Sequence, residues 1–323
     1  MTVSVFIDGE VGTTGLQIKH RLSLRTDIQL ISLPEKHRKT LKAREEALNS
    51  ADVAILCLPD ESAREAVSMV SSNRVRIIDA SSAHRVMDGW TYGFPEYDSL
   101  QLEKIAKSKR IANPGCYAIA SISILRPLIL SGLLPKDFPA TINAVSGYSG
   151  GGRAMISAFE NPQDSSFTEE CFRVYSLSLQ HKHIVEIQKQ SGLLHPPLFV
   201  PSVGRYRQGM IVQVPLPLFA IAGHPNPADI YSVLRDHYKG KKFVSVSLIS
   251  KTKEITSIDP EVLNNTNEMH IHVFANFEKE QALIIALLDN LGKGAAGQVV
   301  QNLNIMFDKE ESKGLLDKTV YYY

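Results

Sequence analysis

The chain has 323 residues, 35 Lys and Arg against 34 Asp and Glu, and a formal charge of +1, with 44% of residues hydrophobic and 21% charged. That balance argues against a nucleic-acid or membrane-surface binder, which carries a basic face or run, and the composition is not that of a disordered or fibrous chain. Length predicts about two domains.

The longest apolar stretches, around 116–125 and 282–288, fall short of the roughly 18 residues that a spanning helix needs. The opening MTVSVFIDGE has no basic region and meets Asp8 early, so it reads as a first strand rather than a signal peptide. Three cysteines make no disulfide framework, and with no signal segment the expected compartment is the reducing cytoplasm.

In chain order, residues 2–8 predict a strand, followed by a glycine cluster and a helix over 14–24 with Ile18 and Leu22 on one face. Residues 28–33, 52–58 (DVAILCL) and 75–79 (VRIID) are further apolar strands, with a helix over 63–70. Continuous apolar strands alternating with helices over the first 113 residues predict a Rossmann-like, doubly wound parallel sheet. A helix after Cys116 is expected to stop at Arg126, where Pro127 interrupts it. The second half changes character. Strands at 140–145, 210–214, 243–249, 269–277 and 282–288 with little helix between them predict an α+β domain with a mixed or antiparallel sheet. One helix there is well signalled, with Asn226 to cap it, Pro227 in its first turn and Asp229 near the positive dipole end, running to about His237. The tail from Gly292, GKGAAGQVVQNLNIMF, reads as a glycine-rich turn continuing as a helix.

Gly9-Glu-Val-Gly12-Thr-Thr-Gly15 follows the first strand and opens the first helix. A phosphate brought there meets unpaired backbone N–H groups and the positive end of the helix dipole, and small residues permit close approach. The spacing is GxxGxxG rather than GxGxxG, so the motif alone is weak, and the rival reading is a tight turn that binds nothing. After the second strand, Glu35 stands where an acid would hold a ribose 2′-hydroxyl, but Lys36, Arg38 and Lys39 crowd the same loop and favour NADP over NAD. Otherwise they are a solvated charge run.

Cys116, in Asn113-Pro-Gly-Cys116-Tyr117, falls at a helix start, where the dipole and free N–H donors favour a thiolate. A helix end is worth about 0.3–1 kcal/mol, up to ~2 when partly buried, which moves a thiol by about one pKa unit. A catalytic thiolate needs a second cation, and His181 and His183 are the candidates, able as imidazolium to pass a proton. A structural histidine pair is the other reading. Metal ligation with His270 and His272 lacks a supporting Cys or carboxylate cluster, so no metal is expected. Cys57 reads as a buried small hydrophobe, and Cys171 carries no signal. Gly147-Tyr-Ser149-Gly150-Gly-Gly-Arg153 follows a strand and offers Arg153 to an anion. Asp79-Ala-Ser-Ser-Ala-His-Arg85 follows another, at the carboxyl edge where parallel sheets bind ligands. Each also reads as a turn with a surface arginine.

GEVGTTGLQI at 9–18, DASSAHR at 79–85, NPGCYA at 113–118, GYSGGGR at 147–153, HKHIVE at 181–186 and GKGAAGQVVQN at 292–302 resemble, in order and over nearly the whole chain, the motifs of the N-acetyl-γ-glutamyl-phosphate reductase family in its shorter bacterial form. NPGCY with GYSGGGR is the specific part; the glycine turn is shared with related semialdehyde dehydrogenases. The family's His-x-His-x-Pro-Glu has Val185 in place of proline here. The resemblance implies a Rossmann NADP-binding domain over 1–115, completed by a C-terminal helix at 292–323, and a catalytic and dimerisation α+β domain over 116–291. It implies Cys116 as nucleophile, His181 as acid/base, and His183 and Glu186 as supporting neighbours. It places NADP(H) against Gly9, Gly12, Thr13, Thr14 and Gly15, with Ser149, Gly150 and Asn302 near the nicotinamide, and makes Arg85 and Arg153 substrate or phosphate contacts. The implied reaction is NADPH-dependent reduction of the acyl phosphate to the semialdehyde with release of phosphate, through a Cys116 thioacyl enzyme, in arginine biosynthesis. A homodimer or homotetramer is expected, with no nucleic-acid or membrane partner. The alternatives are aspartate-semialdehyde dehydrogenase, which must recognise a free ammonium group, and a non-catalytic NADP-binding sensor, which leaves Cys116 and the histidines unexplained.

Overall fold

The computed structural model describes residues 2–247 and 254–315, which divide into two compact units: 2–95, 99–115 and 295–315 in the first, and 96–98 with the described part of 116–294 in the second.

In the first unit, β1 (Val3–Asp8), β2 (Ile28–Ile31), β3 (Val53–Leu56), β4 (Arg76–Asp79), β5 (Thr91–Tyr92) and β6 (Arg110–Ala112) form one sheet in the order β2-β1-β3-β4-β6-β5. Every pairing is parallel. This is the doubly wound sheet expected from the alternating pattern, and β3, buried at all four residues, shows why its run is unbroken. The chain moves to one side of β1 for β2 and to the other for β3, so the order reverses beside the carboxyl end of β1, where such sheets hold ligands. Helices α1 (Thr13–Ser23), α2 (Leu41–Ser50), α3 (Asp60–Met69) and α4 (Gln101–Lys107) accompany the strands, and α1 buries Ile18 and Leu22.

The C-terminal segment completes this unit. Residues Gly292–Ala296 form one π-helical turn, and the α-helix that follows spans Gly297–Met306 with all ten residues buried. Asn304 accepts from Arg25 at 2.6 Å, and the Met306 carbonyl accepts from Arg76. The helix ends at Phe307, and Asp308 has φ 51°. Residues 316–323 of the helix expected over 292–323 lie outside the described residues.

In the second unit, β7 (Thr141–Gly147), β8 (Phe172–Val174), β9 (Leu198–Gly204), β10 (Met210–Pro217), β11 (Val244–Val246), β12 (Met269–Asn276) and β13 (Gln281–Leu288) lie in the order β11-β12-β13-β10-β7-β9-β8. Two pairings are parallel and four antiparallel, which makes the sheet mixed, as expected. Of the strand expected over 243–249, residues 244–246 are strand, and 248 and 249 lie outside the described residues. Helices α5 (Cys116–Leu130), α6 (Gly152–Glu160), α7 (His183–Ser191) and α8 (Pro227–Tyr238) belong here. The expected cap of α8 is found: Asn226 accepts from the Ala228 N–H at 2.9 Å, and Asp229 accepts from the Asn226 N–H at 3.2 Å.

Helix α5 is buried almost all round and packs on α7, α8, β10 and β13, the setting of an apolar helix without a polar face. It does not stop at Arg126 but continues through Pro127 to Leu130. Proline leaves the carbonyl of residue 123 without its helical donor, and the Tyr238 hydroxyl, from α8, donates to that carbonyl at 2.8 Å. A buried tertiary bond replaces the missing helical one. Tyr238→Phe should therefore lower stability by about 1–3 kcal/mol, the cost of an unsatisfied buried acceptor, in a thermal or denaturant melt. An unchanged melt would show the carbonyl is satisfied otherwise.

Candidate active site

Cys116 is the first residue of α5 and half-buried. Its neighbour Tyr117 is buried and donates its hydroxyl to the Ser202 carbonyl of β9 at 2.9 Å, which fixes the start of the helix against the sheet. The Tyr117 ring meets His181 and His183, each edge-on at 5.9 Å, and Phe199 at 5.3 Å. His181 also contacts His183 at 4.7 Å and Phe199 at 5.1 Å, and its Nε2 lies 3.5 Å from the Tyr175 hydroxyl. Burial first, and a negative charge on Cys116 as a smaller contribution, raises both Tyr117 and Tyr175. The fold thus gathers Cys116, His181 and His183, from segments 65 or more residues apart, around two shared tyrosines. Glu186 is buried one turn into α7, on the helix face of His183. Val185, in place of the proline, is exposed in the first turn of α7.

The His183 backbone N–H donates to His181 Nδ1 at 3.1 Å. A nitrogen that accepts carries no proton, so the neutral ring bears its proton on Nε2, facing Tyr175. Burial, and secondarily the Lys182 charge, push His181 from 6.5 down to about 4. The imidazolium expected from the sequence is therefore disfavoured, because a second ring proton would meet the His183 N–H in a desolvated place. Burial, then the Cys116 charge, raises Tyr175 to about 12 even though its bond with Tyr117 opposes this. Burial, then the Asp79 and Asp8 carboxylates, raises Cys57 to about 12, which leaves it a poor nucleophile.

His272 of β12 is likewise lowered to about 4, by burial and then by His270. A histidine depressed on folding binds its proton in the unfolded chain but not in the native one between the two values. Stability should therefore fall as pH drops from about 6.5 to about 4 and lose nothing further to these groups below that. Melting temperatures across this window check it: His272→Leu should flatten the slope, and an unaltered slope would contradict it.

The loop after β7 forms a 3-10 turn over Tyr148–Gly151. Ser149 is buried, its Oγ accepting from Asn290 Nδ2 at 3.0 Å, while Asn290 Oδ1 accepts from the Gly209 N–H at 2.8 Å. Asn290 thus ties two glycine loops together. It was not singled out from the sequence, where its only signal is a polar pair, Asp289-Asn290, directly after an apolar strand. Gly150 lies beside Ser146 and Asn290, and Arg153 is exposed in the first turn of α6.

In the first unit, Gly9 has φ +89°, and a Cβ there would lie 2.3 Å from the Cys57 carbonyl; one on Gly15 would lie 2.4 Å from the Gly9 carbonyl. Gly12 caps α1 without a side-chain bond, and the first helical bond runs from the Leu16 N–H to Gly12. The N–H groups of Thr13, Thr14 and Gly15 precede that ladder, and Thr13 Oγ1 is buried without a hydrogen-bond partner. A turn that bound nothing would not keep a hydroxyl desolvated and unsatisfied beside uncapped N–H groups; a phosphate oxygen suits both. Beyond β2, Arg38 pairs with Glu10 at 3.1 Å and donates to the Leu33 carbonyl, while Lys19 meets Glu10 at 2.7 Å. Glu35, Lys36 and Lys39 are exposed.

Two residues expected at the ligand also bond within the chain. Arg85 is buried and donates to the carbonyls of Asn113 at 2.9 Å and Ala80 at 3.0 Å. Asn302 Nδ2 donates to the Gly93 carbonyl at 2.9 Å and Asn113 Oδ1 at 3.0 Å, and its Oδ1 accepts from Gln298. Both hold the segment before Cys116. His270 bonds Glu268 at 3.0 Å, and among the described residues no group of three His, Cys, Asp or Glu side chains is placed to hold a metal. No helix among the described residues is long and apolar enough to cross a membrane.

Residues 116–290 match the semialdehyde dehydrogenase dimerisation domain, and 17–105 the semialdehyde dehydrogenase NAD binding domain. The chain is similar to an N-acetyl-gamma-glutamyl-phosphate reductase from Trichormus variabilis, 49% identical over 96% of this chain and 98% of that protein. It is also similar to N-acetyl-gamma-glutamyl-phosphate reductase 2 from Pseudomonas putida, 47% identical over 97% and 99%. Among solved structures, aspartate semialdehyde dehydrogenase II from Vibrio cholerae shares its fold, with TM-score 0.68, 13% identity and coverage of 95% and 99%. So does aspartate semialdehyde dehydrogenase with NADP from Candida albicans, with TM-score 0.64, 13% identity and the same coverage.

Proposed function

We infer the reaction from kinship and site chemistry together: the chain belongs to the N-acetyl-γ-glutamyl-phosphate reductase family of semialdehyde dehydrogenases, and it reduces N-acetyl-γ-glutamyl phosphate to N-acetylglutamate semialdehyde with release of phosphate, a step of arginine biosynthesis. The observation that carries this is Cys116 at the start of α5, whose neighbour Tyr117 meets the His181 ring edge-on.

The Cys116 sulfur attacks the acyl carbon, the carbon–oxygen bond to phosphate breaks, and the thiol proton leaves with the phosphate. A thioester on Cys116 results. The N–H groups at the start of α5 face the negative charge that gathers on the acyl oxygen; a preorganised donor of this kind is worth roughly 3–4 kcal/mol. NADPH, when bound, supplies the hydride that reduces the thioester. His181, its proton on Nε2, donates to the oxygen as the thiohemiacetal forms and takes that proton back as the thiohemiacetal collapses to the aldehyde, and the sulfur departs as thiolate to be reprotonated. His183 positions His181 through its backbone N–H, and Glu186 supports that turn of α7.

Thr13, Thr14, Gly9, Gly12 and Gly15 would hold the NADP pyrophosphate, and Arg38 with Lys36 and Lys39 suits a 2′-phosphate. Ser149, Gly150 and Asn302 belong near the nicotinamide, Asn302 by ordering the residues before Cys116 instead of by a free amide. Arg153, exposed, suits the substrate phosphate; Arg85 acts through the Asn113 carbonyl. We assign cofactor binding to 1–115 with the C-terminal helix and catalysis to 116–291. The dimerisation-domain match supports a homodimer or homotetramer, and three free cysteines suit a reducing cytoplasm.

Run in reverse, the protein should reduce NADP with N-acetylglutamate semialdehyde only when phosphate is supplied. Turnover with aspartate semialdehyde in its place would move the substrate to the sister enzyme, and tight NADP binding without turnover on either aldehyde would make the protein a sensor.

A further inference from the structure

Two charged side chains outside this machinery form a deeply buried ion pair in the second unit. Lys293 Nζ lies 2.8 and 2.9 Å from the two carboxylate oxygens of Glu96, with the lysine side chain fully buried and the glutamate side chain 2% exposed. The Phe243 ring stands 5.5 Å from the ammonium. Glu96 is held in turn, because His237 of α8 meets its carbonyl at 3.1 Å. The next residue, Tyr97, has its ring under the Arg126 guanidinium at 3.5 Å and its hydroxyl on Gln190 at 2.9 Å. The carboxylate is therefore a fixed point, anchored to α5, α7 and α8.

Lys293 belongs to the π-helical turn Gly292–Ala296, a form rare in proteins and concentrated at functional sites. The next residue in that turn lies against the nucleophile: a Cβ on Gly294 would stand 2.8 Å from Cys116 Cβ and 3.4 Å from Cys116 Cα. A buried ion pair stabilises little compared with apolar residues of the same shape, since desolvation opposes its attraction, so its retention calls for a role in specifying geometry. Here the geometry at stake is that of the cysteine one residue from the lysine's tether.

We propose that the Lys293–Glu96 pair is a positioning device that pins the π-helical turn, through Gly294, against Cys116 and so sets the placement and hydration of the sulfur. The proposal rests on Cys116 being the nucleophile, and its test reads the thiol directly. Removing one charge leaves the other buried and unpaired, so the informative variant is the neutral double substitution Lys293→Met with Glu96→Gln. The rate of Cys116 alkylation by iodoacetamide, followed by mass spectrometry of the peptide that carries it, gives the thiol's apparent pKa. The double variant should shift that titration by about half a pH unit or more and lose kcat by about tenfold to a hundredfold, as a displaced reacting group does, with KM for NADPH unchanged. Lys293→Arg, which keeps both charges but alters the contact, should restore part of the rate. A wild-type thiol titration in the double variant, or in the smaller neutral pair Lys293→Leu with Glu96→Leu should the first double not fold, overturns the proposal. Activity surviving in Cys116→Ser instead overturns the assignment of the nucleophile, so the two failures are distinct.

Discussion

Cys116→Ser should lower reduction of N-acetyl-γ-glutamyl phosphate by about 10³-fold or more, the scale seen when a lone nucleophile is removed, with NADPH binding retained. Position and charge both argue for it. Cys116 opens α5, and a helix end supplies about 0.3–1 kcal/mol, up to ~2, enough to assist a thiol whose ordinary pKa is ~8.5 but far too little to ionise a serine hydroxyl. The glycine turn belongs to other residues, so cofactor affinity has no reason to change. Steady-state rates alongside a fluorescence titration of NADPH decide it, and full activity in the serine variant would remove Cys116 from the chemistry.

His181→Ala should cost about 10²–10⁴-fold in kcat, the range of a positioned proton donor. The tautomer refines this. Because Nδ1 accepts from the His183 N–H, the working proton sits on Nε2, and His181→Gln, whose terminal amide N–H falls near the same place, should retain more rate than the alanine variant. The wild-type pH profile carries the complementary expectation. With the ring held neutral down to about 4, His181 adds no titration of its own near 6.5, so between about pH 5 and 8 kcat/KM should follow the ionisation of the Cys116 thiol alone, as one acid limb of unit slope. Activity that falls as pH rises through about 6.5, and no longer does so in His181→Gln, would mean the histidine works as imidazolium instead.

Much of this molecule was legible in its sequence where burial is symmetrical or capping is local. The DVAILCL run announced β3 because both faces are covered, and Asn226-Pro227 announced α8 because a cap is written in neighbouring residues. Helix α2 gave no comparable signal: its buried stripe includes Arg44, made tolerable by Asp8 and Glu65 at 3.0 Å each, and periodicity does not register a cation buried by partners far along the chain. Strand β9 contains Pro201 and pairs with β8, a three-residue strand with an exposed phenylalanine; neither looks like a strand alone. Pro127 reads as a helix stop for the same reason, since the hydroxyl that rescues its helix comes from residue 238. At the site, the cysteine and histidine motifs were visible, but Tyr175, Asn290 and Glu96 act through contacts that only folding creates. Arg85 and Asn302 are visible in their motifs, but their bonds to the Asn113 carbonyl and the Asn113 side chain are not, because they too depend on the folded chain.

The helix Gly297–Met306 bears on how the chain is made. Arg25, Arg76, Gly93 and Asn113 wait for partners at residues 302–306, which leave the ribosome after the whole second unit has been synthesised. Domains ordinarily mature in the order of synthesis, amino end first; here the first to emerge is the last to be finished. A nascent chain whose residues 302–306 are still inside the ribosome would carry a nucleotide-binding sheet without these partners, and that sheet is completed only as the carboxyl end is released.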